Sequence, residues 1–396
     1  MEEICFRCGE DHKMKRMITK FISVSLAAAM MLVPAACGRT TEEDVWLEKA
    51  GLDKEETAEE LYEKALQENV LVVYTVSTRA TQTKEAFEAV YPGLCVEIKD
   101  LRSPDLVDAL EENYRSGHSD CDVVICNDNS GEFKERIADT GIAVPYLPSD
   151  IAAKMKDPES NTMGSFTYEA EMLFYNSEKY AECPIENIWE LTDEKYKDRI
   201  YMPNPLHSFS TYAFCGGLLG EEDKLAEAYR DLYGCAPETG DASVSAFFWK
   251  SVSENIIFTN SSDEVLEALG SGSADFGFMV SSKLRFINLG YDIAPVYRLK
   301  PFSGCRTSYS AMIVRNSENI NSAKLFIRFL YGESDGSGEG YKPFSTGGTW
   351  SARTDIPDGN DVPLDDIDLF VPDQDVLIKN REYLENFWTG VLESKA

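Results

Sequence analysis

Hydroxyl and amide side chains recur in this chain wherever an apolar run gives way to a polar, helix-like stretch. Ser77 and Thr78 follow the run 71–76, and Asn127, Asn129 and Ser130 follow one ending at Cys126. Ser208, Ser210 and Thr211 open a predicted helix over 211–219, and Ser281 and Ser282, beside Lys283, follow a run ending at Val280. Such groups can bond the oxygens of an anion, next to the unpaired N–H groups and positive end of a helix. The same residue types also cap helices everywhere, so each cluster alone reads equally well as a cap. Four such turns point to one shared cleft. Arg79, Lys283 or Arg306 could supply its charge, since an arginine fork suits phosphate or carboxylate. Tyr168 and Tyr212 are placed on the cleft wall, while Tyr175 is left open between cleft and core.

Other chemistry is thin. Beyond the first 40 residues only His118 and His207 remain, which argues against a multi-histidine metal centre. There is no Gly-x-Gly-x-x-Gly, P-loop or His-Glu-x-x-His. His207 stands near Ser208 and Ser210, but no orienting acid accompanies them, so a hydrolase has no anchor. No catalytic residue, cofactor or metal is expected. With 69 acidic against 38 basic residues the formal charge is −31, which repels nucleic acid and anionic membrane surfaces. Of ten cysteines, Cys95, Cys121 and Cys126 are expected as small core residues, and no disulfide is expected.

The elements that must position these turns alternate. Strands are expected at 71–76, 94–98, 122–126 and 141–144, with helices at 81–89, 105–115 and 133–139 between them. Unbroken apolar runs separated by helices mean an α/β fold with a mostly parallel sheet covered on both faces. A long extended segment, 164–176, then leads into a second set: strands at 199–202, 255–259 and 274–280 among helices. A strand at 308–314, an amphipathic helix at 319–330, a Gly/Ser/Asp-rich loop and an acidic C-terminal helical region complete the chain.

Near the start, Lys13, Lys15, Arg16 and Lys20 precede an apolar stretch, 21–36, which ends at Ala35-Ala36-Cys37. This is the layout of a secretory signal, shorter than the roughly 20 residues that span a bilayer. It resembles a bacterial lipoprotein signal, in which Cys37 becomes the lipid-carrying first residue. Residues 38–69 then form an acidic tether or a first helix.

The order of parts resembles the extracellular solute-binding proteins of bacterial ABC importers, in the two-lobed type II periplasmic-binding-protein class. It is most similar to the group that binds ferric ion, phosphoglycerate, sugar phosphates and aminoethylphosphonate. The resemblance rests on Leu71-Val72-Val73-Tyr74, Cys121-Asp122-Val123-Val124, Gly141-Ile142-Ala143-Val144-Pro145-Tyr146, Asn187-Ile188-Trp189-Glu190-Leu191, Gly272-Ser273-Ala274-Asp275-Phe276-Gly277 and Tyr341-Lys342-Pro343. It implies two α/β lobes joined by a two-segment hinge near 163–175 and 292–312. The expected division is 1–37 signal, 38–69 tether, 70–167 plus 300–350 first lobe, 168–299 second lobe, and 351–396 a helical region packing on both. Iron binders of this group hold ferric ion with adjacent tyrosines, whose place falls near Ser281-Ser282-Lys283, where there are none. The resemblance therefore implies a monomer capturing a small organic anion, a phosphate ester or phosphonate in preference. Its expected ligands are Ser77, Thr78, Arg79, Asn127, Tyr168, Ser210, Thr211, Tyr212, Ser281, Ser282 and Arg306. An ABC permease would receive the solute, with the protein held to the outer side of the cell membrane by lipid alone. Three alternatives stay open: a lipoprotein reporting to a sensor kinase, a ferric-ion binder with unusual ligands, and a structural surface lipoprotein.

Overall fold

A computed structural model describes residues 42–395, apart from 128, 159–160 and 334–337, with side chains from residue 45 onward. The expected signal and Cys37 lie outside the described residues. Two units result, one ending at Lys49 and one running from Ala50. Helix α1 (Glu42–Ala50) lies in the first up to Lys49; everything below concerns the second. No helix among the described residues is long and apolar enough to cross a membrane.

Helix α2 (Ala58–Ala65) opens with a capping box, Thr57 and Glu60 each bonding the other's backbone N–H. The largely apolar β1 (Leu71–Thr75) pairs in parallel with both β2 (Val96–Asp100) and β3 (Val123–Cys126) and is mostly buried on both faces. Between them run α3 (Ala80–Val90) and α4 (Ser103–Ser116); Pro104 fits the first turn of α4 and Gly117 ends it in the left-handed region. A short β4 (Ala143–Pro145) and α5 (Ser149–Ala152) lead to the twelve-residue β5 (Ser165–Asn176).

The second set follows as β6 (Ile200–Pro203), α6 (Phe209–Gly217), α7 (Glu222–Tyr233), α8 (Val244–Ser253), β7 (Ile256–Thr259), α9 (Ser262–Gly270), β8 (Phe276–Val280) and β9 (Ile293–Pro295). The chain returns through β10 (Gly304–Val314), α10 (Ile320–Tyr331), β11 (Trp350–Ser351) and β12 (Leu369–Phe370), ending in α11 (Gln374–Lys379) and α12 (Arg381–Lys395).

Strand order is β2-β1-β3-β10-β5-β8-β6-β7. The triplet β2-β1-β3 is internally parallel, and so is β8-β6-β7; the antiparallel pair β10 and β5 joins them. The fold is therefore a two-lobed α/β architecture with mixed, mostly parallel sheets. Register fixes where the lobes meet. Ser310 lies opposite Cys126, so β10 residues before 310 run past the C-terminal end of β3. Val280 lies opposite Glu171, so β5 residues before 171 run past the end of β8. Ligands of open α/β sheets bind at such strand ends.

Each lobe has its own core. In the first, Phe87 of α3 is fully buried, its ring 5.2 Å from Phe326 and 5.5 Å from Phe329 on α10. That burial contributes about 1.5–3 kcal/mol and holds α3, and thus the turn before it, in place. In the second, Trp249 of α8 meets Trp388 of α12 at 5.4 Å, and Leu377 and Leu384 join the same cluster. The returning strand begins four residues earlier than the alternation of 308–314 suggests. Gly304 makes that possible, because a Cβ there would stand 2.1 Å from the Glu171 carbonyl oxygen. The seven cysteines of the described residues are free thiols; Cys121 and Cys126 are buried, but Cys95, expected with them, is exposed because β2 begins only at Val96.

Candidate functional site

Side chains alternate along a strand, so the hinge pair has two different faces. Thr307 lies opposite Glu169 and Cys305 opposite Glu171, which puts both carboxylates on one face; Ser308 and Tyr168, also opposite one another, take the other with Arg306. Glu169 and Glu171 are both buried. Two acids at period two within the apolar run of β5 form the floor of the interlobe region.

From the first lobe comes Arg79, held just before α3. One Nη2–H donates to Glu169 Oε1, and Nε donates to Ser77 Oγ at 3.4 Å. The guanidinium lies 4.7 Å from the Phe344 ring centre and 5.2 Å from that of Tyr309. Its Nη1 is buried with no partner among the described residues. Burial, then the Glu169 charge, pushes the Tyr309 phenol up to about 12. Ser77 is buried and takes part through its bond to Arg79; Thr78 is exposed.

From the second lobe comes the start of α6. Ser208 caps the helix by accepting from the Thr211 N–H at 3.3 Å. Thr211 Oγ1 donates to Glu171 Oε1 at 2.9 Å, while Glu171 Oε2 has no hydrogen-bond partner among the described residues. Burial pushes Glu171 up to about 7, against the opposite pull of the Thr211 and Ser210 hydroxyls; the Glu169 charge adds to the rise. The cluster at 208–211, expected to hold a ligand's anion, thus holds a carboxylate of the chain itself. Tyr212 is buried, its hydroxyl without a partner among the described residues, and burial lifts its phenol to about 12.

After β8 the sequence reading needs correction. Ser281 is a brace: its Oγ donates to the Gly348 carbonyl at 2.6 Å and accepts from the Ala170 N–H at 2.8 Å. Gly348, at φ +84, is required there, since a Cβ would stand 1.8 Å from the Ser281 carbonyl oxygen. Lys283 turns away to pair with Asp263 at 2.5 Å and offers the region no free charge. Arg285, missed in the sequence, takes that role. Its Nη1 donates to the buried Ser282's carbonyl, and its guanidinium lies 4.7 Å from the Phe286 ring centre. Burial first, then the nearby Arg79 charge, lowers its pKa. Two guanidinium groups therefore approach from different lobes above a carboxylate floor.

Tyr168 and Arg306 do not join this group. They line a separate cavity of about 330 Å³ on the other face, together with Asn129; Asn127 is half-buried in the turn leading to it. His207 is exposed. Among the described residues no set of three His, Cys, Asp or Glu is grouped to hold a metal ion. Glu169 and Glu171 had a legible signal, acids at alternate positions in an apolar strand. Arg285 had none beyond its place two residues after Lys283.

A family model for bacterial extracellular solute-binding proteins matches residues 81–335. The chain belongs to that family. As a solute-binding protein it is an extracytoplasmic component of an ABC import system, not an enzyme; its partners are a small-molecule solute and an ABC permease. No curated protein sequence matches it. Among solved structures, iron-bound HitA from Pseudomonas aeruginosa is 16% identical, with a TM-score of 0.61 over 82% of this chain and 99% of that one. AfuA from Actinobacillus pleuropneumoniae, with exogenous fructose-6-phosphate bound, is also 16% identical, with a TM-score of 0.60 and coverages of 82% and 99%. The ferric binding protein from Campylobacter jejuni is 15% identical, with a TM-score of 0.61 over 81% of this solute-binding protein and 99% of its own chain. At such identities the likeness shows the fold alone.

Proposed function

We propose that the solute is a small organic oxyanion, a phosphate ester or phosphonate in preference, captured between the lobes by Arg79 and Arg285. The observation that carries this reading is the buried, unpartnered Nη1 of Arg79 beside a second guanidinium from the other lobe. The Arg79 charge disfavours that of Arg285 and Glu169 offsets this, and a phosphate offers oxygens to both forks. Glu171 adds a hydrogen-bond donor when it carries its proton, and Glu169 limits how much negative charge the site accepts. The bound anion then favours the closed arrangement, because only closure brings both arginines to it.

A second reading is a ferric ion held by oxygen donors. It is favoured by the iron carried in the HitA structure and by the oxygens of Glu169, Glu171 and Tyr309 on the hinge strands. The absence of adjacent tyrosines at 281–283 weighs against it. Thermal-shift screening of the purified protein against phosphate esters, phosphonates, dicarboxylates, polyamines, thiamine and ferric ion separates the two. Selective stabilisation by phosphate esters is expected, since a ligand of the native state raises the midpoint by mass action. Selective stabilisation by ferric ion overturns the anion reading in favour of the second.

The same proposal includes a lipid on Cys37, supported by the Ala35-Ala36-Cys37 sequence after an apolar stretch. Mass spectrometry of the mature N-terminus tests it: a diacylglycerol adduct on Cys37 is expected, and an unmodified residue contradicts it.

A further inference from the structure

On the hinge face opposite Glu169 and Glu171 lies the cavity of about 330 Å³, at the small end of the roughly 300–1,000 Å³ typical of small-molecule sites. We infer that this cavity is a second binding site, for a small hydroxycarboxylate monoanion, separate from the interlobe group. Arg306 is its charge. The guanidinium lies 5.1 Å from the Tyr168 ring centre, and no described residue gives it a hydrogen bond or ion pair. Such a stacked fork, pre-oriented and without a carboxylate, is the group that a ligand's carboxylate completes.

A second, independent observation points to the same ligand. Asn129 lines the cavity and is only 6% exposed, yet its Nδ2 has no partner among the described residues. A buried amide left unsatisfied costs free energy, and a hydroxyl of a bound molecule relieves it. Ser308, on the same strand face as Arg306, adds another hydroxyl to the wall, and Tyr168 offers a flat surface to C–H groups.

Charge at the rim sets the limit on the ligand. Lys134 already bonds Asp139 at 2.8 Å and stands 3.8 Å from Asp375, and Asp373 and Asp375 border the cavity. A second negative charge on the ligand meets these carboxylates. One carboxylate on Arg306 and several hydroxyls on the amide and serines fit, as in a sugar acid. The cavity is walled by the 129–134 turn on one side and residues 371–375 on another. These observations stand whether or not the interlobe solute is a phosphate ester.

Isothermal titration of the purified protein with gluconate tests this, with inorganic phosphate as the comparison. Gluconate is expected to bind at millimolar concentration or tighter and phosphate at least tenfold more weakly. Arg306→Gln is expected to weaken gluconate at least tenfold, and Arg79→Gln to change it less than twofold. Ser308→Val, which narrows the cavity without touching its charge, is expected to exclude gluconate while the melting midpoint stays within a few degrees. That variant keeps the test decisive should Arg306→Gln fold poorly. The inference is overturned if native protein gives no gluconate heat at 20-fold excess over ~1 mM. It is equally overturned if Arg79→Gln weakens gluconate as much as Arg306→Gln, which puts the binding between the lobes.

Discussion

Glu169 and Glu171 stand two residues apart on one face of one strand, and the two lobes answer them in opposite ways. The first lobe meets Glu169 with a guanidinium; the second meets Glu171 with hydroxyls. One pair is ionic and the other is poised near neutrality, with Glu171 pushed up to about 7. The difference teaches that a helix start rich in Ser and Thr is not by itself an anion site. At α6 the partner is the chain's own half-protonated acid, whereas at α3 the useful group is the arginine beside the hydroxyls. In the proposed site the cations are Arg79 and Arg285, and the hydroxyl cluster of α6 bonds the floor.

The largest way to break this comparison is Glu169→Ala. It leaves Arg79 buried without its carboxylate, so a loss of about 3–5 kcal/mol is expected in denaturant unfolding. Replacing both partners by apolar residues, Glu169→Leu with Arg79→Met, is expected to cost far less. A similar loss in the double variant would show that packing, not the ion pair, governs this corner.

Next comes the pH dependence of Glu171. Its folded pKa, about 7, lies above the ordinary carboxyl value of 4.5. The folded state thus holds the proton more tightly, and the sign follows. The contribution is fully present below about pH 4.5 and is lost as pH rises through about 7, by up to about 3 kcal/mol. Glu171→Gln is expected to flatten this part of the curve; urea unfolding from pH 5 to pH 8 measures it. Thr211→Val sharpens the same point. Removing the hydroxyl bond to ionised Glu171 is expected to cost about 1–2 kcal/mol near pH 8 and less near pH 5. Equal losses at both pH values would mean the hydroxyl serves helix capping alone. Smallest is Thr78→Ala, at an exposed position, with an expected change within about 0.5 kcal/mol.

How far the sequence carried this picture differs between fold and site. Apolar runs separated by helical periodicity gave β1, β3, β6, β7 and β8 within two residues, because a strand buried on both faces has few other ways to be written. The antiparallel hinge pair was legible as one long segment, 164–176, but the start of β10 was not. Gly304 and Cys305 look like a loop until β5 is known to pass against them. Within the candidate site, residue type singled out Ser77 and Arg79 as candidates but could not say which face of β10 a residue takes. Arg306 went to the wrong side of the hinge for that reason. Ser281 and Lys283 have the chemistry of ligand groups, yet tertiary neighbours, Gly348 and Asp263, already satisfy them. Spatial partners of that kind leave no local trace.

The measurement that bears most directly on the interlobe reading is titration of glycerol 3-phosphate into native protein, Arg79→Gln and Arg285→Gln at pH 7. Native protein is expected to bind, and each variant to lose at least tenfold in affinity while keeping a native circular-dichroism spectrum. Undiminished binding in both variants would contradict the account, because the two guanidinium groups would then hold no part of the solute.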